Sequence, residues 1–490
     1  MSTKHHRIAS TLAKGAAALA LVPFLMGAET AALAPPTIGP PGQAPLSLAD
    51  ATAIEVVLQR APAQGIYAPN VAADVAQLAS PDASGQAAAG DRLARAAIAY
   101  ARAEHGMALD PKSLDDDFAL RGPFDAAGEF AIARASGRLA TWLDAQTRRD
   151  PAYLALVDAR ARYEDIDAHG GWGTIAAGKL VRAGLPDRRA AALRQRLAAE
   201  GYDAPAPADP KAADVFDPAL AKALSDFQDH HGLNPNGVLT PQTLAALNVS
   251  AHDRLAALDV NLERARWLPV TMPETRIEAD LAGPEVALFQ DGKPTLAMRA
   301  IAGEIDRPTP MFASAIDAVE FDPPWIVPDD IARKEIYPKG AAYMARNDFH
   351  VVNGRLEQSA GPKASLGYVK FDIPDNFQVY MHDTPARSLF ALAKRWKSHG
   401  CVRLAAPRQL AAILLGWDAA KVDQAIAAGQ TKTYDLTTPI PVYMLYRTAW
   451  VAPDGHASFR ADVYGWDAEI AAALAGNPLP KHTHDEGADV

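Results

Sequence analysis

The sequence predicts a multidomain α+β protein that combines a helical scaffold, a small three-helix module and a mostly β domain. A chain of 490 residues is too long for one hydrophobic core, so about three domains are expected. Residues 47–166 and 176–248 repeat apolar residues at helical spacing. After about Met272 the pattern changes to short alternating strands separated by loops.

The first 34 residues have the features of an export signal. Lys4, Arg7 and Lys14 give a positive start, and an apolar run from Gly15 to Ala28 follows. This run is too short for a comfortable transmembrane helix and fits a secretory signal. Residues 1–34 are therefore predicted to be a signal peptide, with an uncleaved N-terminal anchor as the alternative. No later segment reaches about 18 uninterrupted apolar residues, so we expect no membrane span in the mature protein.

The charge distribution argues against nucleic acid as a main partner. The formal net charge is −10, and Lys and Arg form no block longer than short pairs. Binding to nucleic acid normally needs a clustered basic face.

Residues 35–175 are predicted to be a linker followed by the helical scaffold. Residues 35–46 are rich in Pro and Gly, as linkers often are. Further along, one apolar helix face is made of Leu93, Ala96, Ala97 and Tyr100. No catalytic combination of residues stands out in this part, so we interpret it as a support for the rest.

Residues 176–250 are predicted to form the three-helix module. Asp217 and Pro218 have the positions of an N-cap and of the first helical residue. Thr240 and Pro241 repeat that arrangement in front of a further helix.

The mostly β domain is predicted over residues 276–448. Two strands stand out by their alternation, Phe377–His382 and Ile440–Tyr446. Between them the sequence predicts two short helices, one beginning after Thr384 and one ending at Gly416.

Cys401 is the only cysteine of the chain and stands in the stretch SHGCVRL. A single cysteine cannot form an internal disulfide. In an exported protein a free thiol is an intermolecular bridge, a buried inert residue or a nucleophile. His382 and His399 lie in the same short stretch of chain, and a strand, a helix and a turn can bring its ends together.

This combination fits a Cys-His acyl-transfer site. A free thiol is only a few per cent thiolate at neutral pH, and a neighbouring histidine can accept its proton. Two alternatives stay open on spacing alone. Cys401 could be a buried core residue, or His382, His399 and Cys401 could be three zinc ligands. In the common cysteine peptidases the nucleophile precedes its histidine, whereas here His382 comes first.

Neighbouring residues could complete such a site. Tyr380 shares a strand face with His382, and Gly400 would let backbone N–H groups approach an oxyanion closely. Asp383 or a backbone carbonyl could fix the tautomer of a histidine. Arg403 could hold a substrate carboxylate in a bidentate pair.

The stretch VYMHDTP, residues 379–385, together with SHGCVRL resembles the active-site signature of the L,D-transpeptidases and their YkuD-type catalytic domain. Residues 319–339 and 447–467 resemble the large periplasmic, multidomain members of that family. Residues 185–248 resemble a peptidoglycan-binding module.

The resemblance also implies an order of domains. A lid of about residues 325–366 is inserted into the catalytic domain. The implied order begins with the signal peptide (1–34), the helical scaffold (35–175) and the peptidoglycan-binding-like module (176–250). A connecting helix (251–275), the catalytic domain (276–448) and a C-terminal extension (449–490) follow.

What the resemblance implies about function is a cell-wall enzyme. The family cleaves a tetrapeptide stem after its third residue, releases D-Ala and forms a 3→3 cross-link through a cysteine acyl-enzyme. Peptidoglycan stem peptides and glycan would be the partners, the location periplasmic, and carbapenems inhibitors, with no metal or organic cofactor. The alternatives are hydrolysis of the same acyl-enzyme, as an L,D-carboxypeptidase or endopeptidase, and a non-catalytic wall-binding protein. The sequence gives no indication of the oligomeric state.

The family's roles can be carried over to individual residues. Cys401 would be the nucleophile, His382 the general base and His399 a support of the site. Trp325, at the start of the lid, would line the cleft. The remaining motif residues would have oxyanion or positioning roles: Tyr380, Gly400, Ser398 and Arg403.

Overall fold

Residues 46–476 are described by the computed structural model, except positions 108, 110, 115–117 and 121. The predicted signal peptide, nearly all of the linker and the last 14 residues of the predicted extension lie outside these ranges. Among the residues within them, no helix is both long and apolar enough to cross a membrane.

The N-terminal part is mainly helical, as predicted. The elements before the module are α1 (Leu48–Arg60), α2 (Ala72–Leu78), α3 (Ala83–Glu104), α4 (Pro111–Leu114), β1 (Phe118–Ala119), α5 (Ala126–Ala135), α6 (Leu139–Gln146) and α7 (Pro151–Ala168). The predicted apolar face of Leu93, Ala96, Ala97 and Tyr100 lies on α3 and is buried. It contributes to a core shared with α1, α5 and α6.

The module consists of three helices, and its predicted caps are confirmed. Its elements are β2 (Leu185–Pro186), α8 (Ala190–Ala199), β3 (Val215–Phe216), α9 (Pro218–His230) and α10 (Pro241–Leu247). Asp217 accepts the N–H of Leu220 at 2.9 Å, and Thr240 accepts that of Thr243 at 3.1 Å. Each cap satisfies a backbone donor that a helix start leaves free.

A helix leads from the module into the first strands of the β region. These elements are α11 (Ala251–Arg266), β4 (Arg276–Asp280), β5 (Glu285–Gln290), β6 (Lys293–Gly303) and β7 (Met311–Phe321). Ser250 caps α11 by accepting the N–H of Asp253 at 3.0 Å. β1 pairs parallel with β7, Phe118 standing opposite Met311, so the N-terminal part adds a strand to this sheet.

The lid forms a small layer of its own between β7 and the next sheet strand. It contains β8 (Trp325–Ile326), α12 (Asp329–Ile331), a π-helical turn (Ala332–Ile336), α13 (Ala341–Arg346), β9 (Phe349–Val352) and β10 (Arg355–Gln358). β8, β10 and β9 make a three-stranded antiparallel sheet. Its separate apolar core includes Val327, Ile331, Ile336, Phe349 and Leu356.

The sheet that carries the motif residues closes on itself. Its later elements are β11 (Val369–Asp372), β12 (Met381–His382), β13 (Trp396–Ser398), β14 (Val402–Leu404), α14 (Pro407–Leu415), α15 (Ala419–Ala427) and β15 (Lys432–Leu445). The order is β1-β7-β11-β12-β14-β6-β5-β4-β15, with β13 beside β6. β15 also pairs with β7, so that Tyr443 stands between Glu278 and Ala313.

Two local predictions in this region are corrected. The strand predicted over Phe377–His382 is limited to Met381–His382, because Gln378 adopts a left-handed φ of 57° that a strand does not accommodate. The helix predicted after Thr384 is only a 3₁₀ turn over Arg387–Ala391. Trp396 instead lies in β13, where its indole N–H donates to the backbone carbonyl of Leu281 at 2.9 Å.

The last described segment packs onto both the module and the sheet. It comprises β16 (Ala449–Val451), β17 (Ala457–Phe459) and α16 (Trp466–Leu474). Trp466 and Ile470 are buried in the core of the large sheet. The ring of Trp466 meets that of Phe118 edge to face at 5.0 Å.

Candidate active site

Cys401 lies in a tight turn between β13 and β14, and hydrogen bonds hold this turn on both sides. Ser398 Oγ donates to the carbonyl of Cys401 at 2.5 Å and accepts the N–H of Gly400 at 3.3 Å. Gly400 has a φ of 114°, which favours glycine. Thr309 Oγ1 donates to the carbonyl of Gly400 at 2.7 Å and accepts the N–H of Gly303 at 2.9 Å. The backbone around the thiol is therefore fixed.

His382 stands on the strand next to the one that follows Cys401. β12 runs parallel to β14, with His382 opposite Arg403. The imidazole is buried. Burial, and after it the charge of Arg403, lowers the pKa of His382 to about 3, while the backbone of Asp383 and Leu366 opposes the shift. His382 is therefore a neutral imidazole at neutral pH, able to accept a proton.

The Cys401 thiol is also neutral at rest. Burial raises the pKa of Cys401 above its usual value, and hydrogen bonds from the backbone and side chain of Tyr380 act in the opposite direction. Sγ lies 3.9 Å from the carbonyl oxygen of Gln378. With both the thiol and the imidazole neutral, proton transfer during attack is favoured over a standing thiolate–imidazolium pair.

Tyr380 and Arg403 lie near the thiol, and Trp325 contacts Tyr380. The ring of Tyr380 lies 5.6 Å from that of His382, edge to face. Burial, and after it the charge of Cys401, raises the pKa of Tyr380, while a hydrogen bond with Trp325 lowers it. Burial lowers the pKa of Arg403, and the neighbouring Cys401 opposes this. The Nε of Arg403 is buried without a partner among the described residues.

His399 does not face the thiol but contacts the lid. Its Nε2 lies 2.6 Å from Oε1 of Glu335, in the π-helical turn. The same carboxylate accepts from Arg307 at 2.9 Å. Burial would raise the pKa of Glu335, but the hydrogen bonds from His399 and Arg307 outweigh it and bring that pKa below its usual value. Glu335 and Arg307 were missed in the sequence, because only the folded lid brings them to His399.

The Asp383 side chain does not have the histidine-orienting role considered in the sequence. Its carboxylate accepts the N–H groups of Tyr368 at 3.1 Å and Thr384 at 2.8 Å, and it binds Arg387 at 3.0 Å. These contacts join the end of the lid to the strand that carries His382. Of the two alternatives for orienting a histidine, the Asp383 side chain is used elsewhere, and backbone groups of Asp383 and Leu366 are the ones that interact with His382.

The zinc alternative is not favoured by this arrangement. His399 is directed to Glu335, and in the described part of the chain the ligand atoms of His382, His399 and Cys401 do not converge as a metal-binding group.

Two family models match the chain. Residues 274–444 match the model described as the YkuD L,D-transpeptidase catalytic domain. Residues 188–247 match the model described as "Putative peptidoglycan binding domain". The first range contains the described site, and the second contains α8 to α10.

A curated relative from Haemophilus influenzae, named "Putative L,D-transpeptidase", is 30% identical over 243 residues, which are 44% of this chain and 49% of the relative. The chain thus spans about half the length of that relative.

Among solved structures, L,D-transpeptidase 3 from Mycobacterium tuberculosis in complex with a faropenem-derived adduct is 17% identical, with a TM-score of 0.21, covering 35% of this chain and 60% of its own. The ertapenem-acylated catalytic domain of the E. faecium L,D-transpeptidase is 18% identical, with a TM-score of 0.20, covering 36% of this chain and 99% of its own. At these scores neither structure carries a conclusion about this chain.

Proposed function

Since the chain carries a YkuD L,D-transpeptidase catalytic domain and a peptidoglycan-binding domain, we propose that it forms 3→3 cross-links between peptidoglycan stem peptides. The observation that carries this proposal is the position of the single thiol. Cys401 stands in a turn fixed by Ser398 and Thr309, beside the strand that holds a neutral, buried His382.

The proposed reaction has two halves. Sγ of Cys401 attacks the carbonyl carbon at the L-centre of the third stem residue while His382 takes the thiol proton. The C–N bond to D-Ala breaks, and the imidazolium returns the proton to the leaving amine, which leaves a thioester on Cys401. An amine of a second stem then attacks the thioester, His382 takes its proton, and the thiol is restored.

Groups around the thiol support the developing negative charge in this proposal. The N–H of Gly400 is already used by Ser398, so we assign the backbone part of the oxyanion hole to the N–H of Cys401. The Tyr380 hydroxyl, with its raised pKa, stays protonated and is the side-chain donor. Arg403, whose Nε has no partner among the described residues, is the proposed anchor for a substrate carboxylate.

We further propose that the enzyme works in the periplasm and that carbapenems acylate Cys401. The positive start and apolar run of residues 1–34 support export. A strained β-lactam offers an acyl carbonyl to the same nucleophile and donors. Its opened ring keeps the leaving amine attached, so the adduct must wait for water, which a lid over the cleft hinders.

The decisive experiment is intact-mass analysis of the protein incubated with a tetrapeptide stem, with and without a second stem as acceptor. We expect an adduct of the tripeptide acyl group on Cys401, release of D-Ala, and a cross-linked product when the acceptor is present. Cys401→Ala is the control and should give neither adduct nor product while keeping the circular dichroism spectrum of the parent.

The product distinguishes the alternatives. Free tripeptide as the main product, even at high acceptor concentration, would identify a carboxypeptidase or endopeptidase. Substantial cross-linking by folded Cys401→Ala would refute the assignment of the nucleophile, and an absence of any adduct with intact binding would indicate a non-catalytic wall-binding protein.

A further inference from the structure

A second group of histidines lies far from Cys401, where the module packs on the C-terminal hairpin. His230 is the last residue of α9, and Asp454 and His456 stand in the loop between β16 and β17. One ligand atom from each of the three side chains lies within 4.8 Å of the other two. His230 is more than 220 residues from Asp454 and His456 in the chain, so only the fold brings it to them.

The spacing of these atoms suits a small metal ion. Oδ2 of Asp454 lies 3.1 Å from Nε2 of His230 and 3.3 Å from Nδ1 of His456. In a tetrahedral zinc site, with bonds of about 2.0–2.1 Å, neighbouring ligand atoms are roughly 3.3 Å apart. Two of the three distances therefore already have the values that zinc requires, and the third is at most 4.8 Å.

The turn between β16 and β17 fixes the orientation of the Asp454 carboxylate. Oδ1 of Asp454 accepts the N–H of His456 at 3.1 Å. Gly455, with a φ of 88°, donates its N–H to the carbonyl of Ala452 at 2.9 Å. Because the turn uses Oδ1, Oδ2 is the oxygen that faces the two imidazoles.

The outer nitrogens of both rings have partners that set which nitrogen faces inwards. Nε2 of His456 lies 3.4 Å from the carbonyl of Gly201, and Nδ1 of His230 lies 3.1 Å from the hydroxyl of Tyr202. A ring that donates its outer N–H leaves a lone pair on the inner nitrogen, which is the arrangement of histidine metal ligands. Nδ1 of His456 is buried and makes no aligned hydrogen bond. The ring of His456 stacks on that of Tyr202 at 4.9 Å, which fixes its plane.

We propose that His230, Asp454 and His456 bind a zinc ion that fastens the module to the C-terminal hairpin. Two imidazole nitrogens and one carboxylate oxygen suit zinc, whereas calcium and magnesium prefer oxygen ligands alone. The side chain of Asp454 is 54% exposed, so an ion can enter from solvent and keep a water as its fourth ligand. No group of the proposed transpeptidation takes part, and the inference is therefore independent of that activity.

The test uses the full untagged chain with Cys401→Ser, so that the thiol cannot bind metal. Zinc is titrated calorimetrically near neutral pH, and cobalt, as a spectroscopic substitute, is followed by its visible absorption. We expect one equivalent of zinc, a tetrahedral cobalt spectrum and a higher melting temperature with zinc. Adding His456→Gln or His230→Gln should weaken zinc binding by at least about tenfold and abolish the rise in melting temperature.

Two further variants keep the outcome unambiguous. Asp454→Asn preserves the acceptor that the turn uses at an exposed position, so it should fold normally and still lose most of the affinity. His252→Gln is the matched control, because His252 faces a single carboxylate, that of Asp167, at 3.1 Å, and it should bind zinc like the parent. Absence of zinc uptake by the parent, or uptake unchanged in His456→Gln and Asp454→Asn, would overturn the proposal.

Discussion

At Cys401, burial and hydrogen bonding shift the thiol pKa in opposite directions, and burial dominates. At His382 the same burial shifts the pKa the other way, to about 3. The two groups are thus both neutral over a wide pH range. The thiol proton therefore has to be transferred while the substrate carbonyl is attacked. The rate then depends on how the thiol, the imidazole and the carbonyl are positioned, and not on a thiolate that is already present.

This resting state predicts an unusual pH profile. A general base works only when it is unprotonated, so the proposed activity should be retained down to the pKa of His382. We expect kcat/KM for a tetrapeptide stem to show no acid limb between about pH 5 and pH 8, whereas an ordinary histidine would halve the rate near pH 6.5. An inflection near pH 6.5 in stopped assays would contradict a buried neutral base.

Alkylation of the same thiol supplies an independent check. Iodoacetamide reacts with the thiolate, and the raised pKa of Cys401 should make its rate climb with pH beyond the usual thiol midpoint of about 8.5. The urea-unfolded chain serves as the control, since its midpoint should return to that ordinary value. Equal midpoints for the folded and unfolded chain would show that the site does not desolvate the thiol.

At the scale of elements, the Glu335 carboxylate joins the lid segment to the turn that carries Cys401. Glu335 contacts both His399 and Arg307. These side chains are roughly one third exposed, and such ion pairs contribute about 0.2–1 kcal/mol. The contribution is small for stability, but it is a direct contact between the 325–366 segment and the turn that carries Cys401.

Glu335→Gln should therefore loosen the lid without unfolding it. We expect KM for the stem peptide to rise a few-fold with little change in kcat, and a carbapenem adduct on Cys401 to be lost faster. Steady-state kinetics and time-resolved intact mass measure both effects. Glu357→Gln is the matched lid control, because Glu357 lies 3.7 Å from His350 and does not reach the catalytic turn. Equal changes in both variants would mean that the contact with His399 has no specific role.

Elements with local signals were predictable from the sequence. The N-caps Asp217 and Thr240 make the bonds their types favour, since capping depends on residues three positions apart. The 384–396 segment was not predictable in this way. Its helix-forming residues are drawn into a turn and a strand by contacts with distant carbonyls, as the 2.9 Å bond of Trp396 shows, and such tertiary contacts override local propensity.

In the candidate site too, residues with local sequence signals were predictable and tertiary contacts were not. The sequence indicated Cys401, His382 and Tyr380 as neighbours, because these residues come in two short runs, and the family resemblance added Trp325 at the start of the lid. It could not indicate Glu335, whose approach to His399 depends on how a separate lid core packs. Contacts made through a folded insertion leave no spacing pattern in the chain.

At the scale of the whole molecule, the N-terminal part is integrated into the catalytic sheet through Phe118. This side chain is fully buried and packs edge to face on Trp466 at 5.0 Å. Its strand is only two residues long, so most of its contribution comes from the side chain. The helical scaffold is thereby tied to both the sheet and the last helix.

Phe118→Ala should destabilise the whole chain although it lies far from the proposed chemistry. Removing a buried phenylalanine costs about 3–5 kcal/mol, measurable by urea unfolding followed through tryptophan fluorescence. Ile132→Ala, at a side chain that is 66% exposed, is the control and should change the free energy of unfolding by less than about 0.5 kcal/mol. Equal free energies of unfolding for the two variants would show that the Phe118 side chain does not stabilise the sheet.

The pairing of β15 with both β4 and β7 has a consequence for how the chain is made. The ring of strands cannot close until residue 445 has left the ribosome, because its last strand contacts partners about 110–165 residues earlier in the sequence. Contacts over such separations form slowly, because the entropy of closing a long loop is lost before they are made. For the export proposed above this order matters, because an unfolded chain is the form that a translocation pore can thread, and the strand that closes the ring is the last of its strands to be made.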